Sequence, residues 1–182
     1  VEASVPVRRP QPWRSIVTLI DVHTERPGNP VDSIELIAAQ NDWSFERSGE
    51  DEITVSVQGD WCDYHVSFSW MEDIEALQLA CAFDIKVLEA RRNEVVRLLA
   101  MINEQMWVGH FDLWQREGVI MYRNALLLAG GMEPSDEQIA AMMENALEAC
   151  ERFYQSFQFV VWAGKSAKES LEHSLIETVG EA

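Results

Sequence analysis

The sequence predicts an α+β fold in which an antiparallel sheet is packed with helices. Two observations carry that expectation. Between residues 43 and 83 apolar and polar side chains alternate in successive short runs, as in strands with one buried face; over 88–106, and again after 135, the apolar residues recur every three to four positions, as on the buried side of a helix. The strand runs follow one another directly, so a meander of about four strands is expected.

The elements follow in chain order. Five of the six prolines (Pro6, Pro10, Pro12, Pro27 and Pro30) lie in the first thirty residues. Each removes a backbone donor and holds its predecessor extended, so 1–29 reads as a tail. Within it Ser15 to Val22 is β-branched enough to form a strand at a sheet edge, its own or another chain's. Pro30 suits a first helical turn, and Ile34, Ile37 and Ala38 make a short amphipathic helix ending at Asn41. Trp43 to Arg47, the turn Ser48-Gly-Glu-Asp51 and the alternating Ile53, Val55 and Val57 make two strands. Tyr64, Val66, Phe68 and Trp70 make a third, and Leu77, Leu79, Cys81 and Phe83 a fourth. Val95, Leu98, Leu99, Ile102 and Met106 share one helical stripe within 88–106. Phe111 and Leu113, the turn Gln115 to Gly118, and Val119 to Leu128 form a hairpin broken by Gly130-Gly131. Ser135 and Gln138 form a capping box opening a helix along Ile139, Met142, Met143, Ala146, Leu147 and Cys150. A further helix over roughly 153–176 adds Phe157, Val160, Val161, Leu171 and Leu175. The chain thus divides into a proline-rich tail (1–29), one α+β domain (30–178) and a short end (179–182).

Charge excludes one class of partner. Lys and Arg number 14 against 31 Asp and Glu, a formal charge of −17. Such a surface repels a phosphate backbone, so no nucleic acid is expected. The charge is uneven: residues 1–30 carry net +1, with Arg8, Arg9, Arg14 and Arg26, and the rest carries −18. The acidic body is either a solvated surface or a docking face for a basic segment, its own tail or a partner's.

No run approaches the ~20 apolar residues of a membrane helix, and Ile16 to Ile20 is too short and punctuated for a signal peptide. Cys62, Cys81 and Cys150 are odd in number and far apart, giving neither a disulfide framework nor a CxxC motif. A cytoplasmic protein is expected. The chain begins with Val1 rather than Met, so its natural start is expected upstream.

Candidate chemistry is sparse. Asp63-x-His65 and His110-x-Asp112 each place a carboxylate and an imidazole on one face of a strand, and would make a four-ligand metal site were the strands neighbours. The ordinary expectation is a solvated sheet face, with no cofactor. No nucleophile elbow and no phosphate loop occur. Cys62 has only His65 near it in sequence, across the pleat; Cys81 and Cys150 lie on apolar stripes and belong in a core. No catalytic residue is assigned. Most of the seven tryptophans, Trp70 and Trp162 among them, are expected in the core, with Trp61 and Trp114 beside turns at the surface.

Asn29-Pro-Val-Asp, Asn41-Asp-Trp-Ser-Phe-Glu-Arg, Asp63-Tyr-His-Val-Ser-Phe-Ser-Trp-Met-Glu, Asn103-Glu-Gln-Met-Trp-Val-Gly-His-Phe-Asp and Phe159-Val-Val-Trp-Ala-Gly-Lys strongly resemble the YbjN-domain family of bacterial proteins, over about residues 29–178. The resemblance implies a type III secretion chaperone-like fold and a sensory transduction regulator, in bacterial signalling or stress response. It supplies no catalytic residues. It implies a non-enzymatic, dimeric regulator or chaperone-like adaptor that binds a protein partner; for such binding the sequence itself offers Trp61, Trp107 and Trp114 as the residues to test. The alternative is a small-ligand or metal-binding domain using Asp63, His65, His110 and Asp112.

Overall fold

The computed structural model describes residues 28–179. The strand expected over 15–22, like the rest of the tail before Gly28, lies outside them, as does 180–182. The described chain runs α1 (Pro30–Gln40), β1 (Ser44–Arg47), β2 (Glu52–Gln58), β3 (Asp63–Met71), β4 (Ala76–Lys86), α2 (Arg92–Asn103), β5 (His110–Trp114), β6 (Val119–Leu127), α3 (Asp136–Val161) and α4 (Ala167–Val179). All six strands join one antiparallel sheet in the order β1-β2-β3-β4-β6-β5. The α+β architecture is the expected one. Sequential pairing makes β1 to β4 a meander; α2 then carries the chain over the sheet so that β5 forms the far edge and β6 fills the gap.

One sheet face is the core. Val55, Val66, Cys81 and Tyr122 lie side by side across four strands and are fully buried. Above them the rings interlock: Phe83 meets Tyr64, Phe111, Tyr154 and Phe157 at centroid distances of 5.3–6.4 Å, largely edge-on, as ring quadrupoles favour. The helices lie over this face. Asn29 caps α1 by accepting the Val31 amide at 2.9 Å, and Pro30 fits the first turn, where an amide would lack a partner. Arg47 of β1 ties back to α1 through Asp32 (2.7 Å) and Glu35, and those two carboxylates raise its pKa.

The capping box at Ser135 is present in full, with both reciprocal bonds to Gln138 formed. Two helical boundaries differ from expectation. The turns before Arg92 are a short 3-10 segment, and α2 stops at Asn103, leaving Met106 in a loop against the core. At the other end α3 runs unbroken to Val161, and the break falls at 162–166, not near 150. There Gly164 takes φ +70, a left-handed conformation that costs glycine little, and Ser166 with Glu169 forms a second reciprocal cap. Arg91 donates to the Val160 and Lys165 carbonyls (2.8 and 2.5 Å), satisfying acceptors that a helix end leaves open. Glu94 of α2 accepts the Ala167 amide at 3.0 Å, which lowers its pKa, and Ser156 donates to Ser174 at 2.6 Å between α3 and α4.

Candidate functional site

Among the described residues the outer sheet face carries no helix. It is built mostly from small and polar side chains, with Met121 the apolar exception in these rows: Ser44, Ser56, His65, Ala82, Met121 and Asp112 form one row across the six strands, and Glu46, Thr54, Ser67, Ala80, Arg123 and His110 the next. All four metal candidates lie on this face, as alternation requires, yet they do not meet. β4 and β6 stand between β3 and β5, so the Asp63–His65 pair is three strand spacings, ~14 Å, from His110 and Asp112, whereas ligands of one ion lie ~2–2.5 Å from it. Two of the four also have local partners. His65 Nδ1 lies 3.0 Å from Ser56 Oγ, and Asp112 accepts from Arg123 at 3.3 Å. His110 and Arg123 help line a shallow hollow of about 200 Å³. Among the described residues no group of His, Cys, Asp and Glu is arranged to hold a metal ion, so the metal-site alternative is corrected by the strand order.

The cysteines are free. Cys81 and Cys150 are fully buried, as expected. Cys62 is half-buried on the helical side of the β2–β3 turn; burial raises its thiol pKa, so it is a weak nucleophile at neutral pH. His65, bonded to Ser56 on the other face, is no base for it. Sequence reasoning missed the group beside it: Glu151 of α3 accepts the Asp60 amide at 2.8 Å and anchors the turn. Its other carboxylate oxygen and the Tyr64 hydroxyl are buried without hydrogen-bond partners. Burial raises the pKa of both groups. Nothing local in the sequence signals a contact spanning ninety residues.

The tryptophans divide differently from expectation. Trp70 packs against the core. Trp162 does not: it follows the last turn of α3, where the helical stripe ends, and is 60% exposed. Trp61 and Trp114, at the turns after β2 and β5, are 46% and 50% exposed. They share one end of the sheet but stand on opposite sides of β3, β4 and β6, so they form no common patch.

Trp107 is 99% exposed. Its loop is nonetheless tightly framed. Asn103 Oδ1 accepts the Phe111 amide (2.8 Å) while its Nδ2 donates to the Phe111 carbonyl (3.0 Å), and Tyr122 Oη donates to the Val108 carbonyl at 3.4 Å. Burial pushes the Tyr122 pKa up to about 12, so the phenol remains a donor. Gly109 adopts φ +67 against Tyr122, where a Cβ would meet the phenol oxygen. This frame holds Trp107 at the rim of a cleft of about 220 Å³ between the loop and α3. Met106, Val108, Ala149 and Phe153 line it, with Arg152 stacked 5.0 Å above the Phe153 ring and Glu148 and Asn145 at its margin. A cleft of mixed apolar and polar lining with an exposed aromatic at its rim is suited to recognition of a side chain, and it presents no nucleophile with a paired base.

A family model described as "putative bacterial sensory transduction regulator", YbjN, matches residues 30–159. The chain belongs to the YbjN family. The crystal structure of YbjN, "a putative transcription regulator from E. coli", has a TM-score of 0.50 with this chain at 10% identity, covering 81% of this chain and 93% of that one. The fold of the YbjN domain is thereby shown. The structure of the ExsC–ExsE complex is also similar, with a TM-score of 0.41 and 20% identity over 55% of this chain and 72% of that one. No curated protein matches the chain significantly in sequence. The YbjN match spans α1 to most of α3 and thus includes both the framed loop and the cleft. No helix among the described residues is long and apolar enough to cross a membrane.

Proposed function

We propose that this YbjN-domain protein is a non-enzymatic regulator that works by binding another protein, with the Trp107 cleft as its principal contact. The observation that carries this reading is a tryptophan left 99% in water by a loop that is fastened on both sides. An exposed indole gains from burial, and a backbone already fastened beside it loses little entropy on doing so, which favours an aromatic anchor at an interface. The partner presents an apolar side chain to Met106, Val108 and Phe153 and polar groups to Arg152 and Glu148. Trp61 and Trp114 are secondary anchors at the other end of the sheet. Two copies pair in solution, the protein resides in the cytoplasm, as three free cysteines suit, and it acts as a chaperone-like adaptor in signal transduction. The family description supports the regulatory part of this reading.

The test compares proteins recovered on the wild-type chain with those on Trp107→Ala, using Trp162→Ala, at another exposed tryptophan, as the control. At least one partner should be recovered ~10-fold less by Trp107→Ala alone, the order of loss for an aromatic hot spot. Equal recovery by all three would overturn the cleft's role. Sedimentation over a range of concentrations reads the pairing of copies.

A further inference from the structure

At the end of the sheet where β3 and β6 finish and β4 begins, a second surface lies open. Met71, Ala76 and Leu127 are adjacent across these strands on the outer face, and Ile74 follows in the turn joining β3 to β4. Ile74 and Leu127 leave 59% and 72% of their surface in water. The loop after β6 is strapped to this turn, for Glu75 accepts the Gly130 and Gly131 amides at 3.2 and 3.3 Å, and it brings the exposed Met132 to the same end. Around the apolar residues stand exposed carboxylates: Glu50, Asp51, Glu72, Asp73 and Glu133. Arg47 is already held by Asp32 and Glu35.

The chain itself leaves the described structure at this place. A Cβ built on Gly28 lies 3.7 Å from Glu133 Oε1, and Asn29 donates to Asp51 Oδ1 at 2.7 Å. The preceding sequence has the complementary character. Arg8, Arg9 and Arg14 outweigh the single acid Asp21 between Arg8 and Val22, and the stretch Ile16-Val-Thr-Leu-Ile20 is apolar. Val22 is six residues from Gly28, which fully extended is ~20 Å, so the apolar stretch reaches Leu127 and Ile74 without help from another chain. A tether this short raises the local concentration of the segment to ~mM, far above what a second copy supplies at ordinary protein concentration.

From this exit point, charge and reach, we propose that the chain's own N-terminal segment, Arg8 to Val22, docks in cis on the apolar, acidic end formed by Met71, Ile74, Leu127 and Met132.

Hydrogen exchange on the full chain tests this. Amides 16–22 should exchange about tenfold or more slowly than in a free peptide of the same sequence, equally on dilution. Leu127→Asp should restore peptide-like rates, as should Ile74→Asp; both residues are exposed, so the fold, followed by circular dichroism, remains. Arg14→Glu should lessen the protection. Peptide-like rates in the wild-type chain, or protection that survives both aspartates, would overturn the proposal. Protection that vanishes on dilution would also overturn it, by assigning the surface to a second copy.

Discussion

Gly59 leaves no room for a side chain: a Cβ there would lie 2.1 Å from Glu151 Oε1 and 2.3 Å from the Tyr64 ring. Tyr64 is fully buried among aromatic rings and cannot give way, so Gly59→Ala should cost ~1–3 kcal/mol of stability, read from the urea midpoint. The same corner sets a pH dependence. Burial holds the Glu151 carboxyl above its ordinary range, although the Asp60 amide pulls it down. A carboxyl whose folded pKa exceeds its unfolded value favours folding while protonated, and that contribution is lost as pH rises through the folded value. The wild-type urea midpoint, relative to that of Glu151→Gln, should therefore fall as pH rises above ~4.3. A difference that stays constant or grows would contradict this account.

The elements were legible where the signal is local. Alternation at Ile53 to Val57 and at Tyr64 to Trp70 marks strands because one face is buried, and Ser135 with Gln138 marks a helix start because the cap is made by neighbours in sequence. The break between α3 and α4 was equally local: Gly164 and the Ser166–Glu169 cap announce it, but the apolar residues on both sides read as one continuing stripe. That continuity also misplaced Trp162. Ser166→Ala should cost ~0.5–2 kcal/mol, appearing first as faster amide exchange in the opening turn of α4. What no local signal carries is the strand order. Asp63, His65, His110 and Asp112 were correctly placed on one face of their strands, but only the insertion of β6 beside β4 decides that the pairs stay apart. The cleft beside Trp107 is of the same kind, since it joins a loop to a helix some forty residues on.

For the whole molecule, a formal charge of −17 means that like charges repel across the surface. The urea midpoint should rise from low to moderate salt as this repulsion is screened, while a tail held partly by arginines should loosen over the same range. The two responses have opposite signs, so unfolding and exchange measured on one salt series separate them. The placement of β6 between β4 and β5 reaches further, into how the chain is made. During synthesis β2, β3 and β4 each emerge with a partner strand already available, but β5 leaves the ribosome with no strand to bond to until β6 follows. Protection of β5 therefore cannot precede that of β6, so pulse-labelled exchange should show His110–Trp114 becoming protected with or after Val119–Leu127.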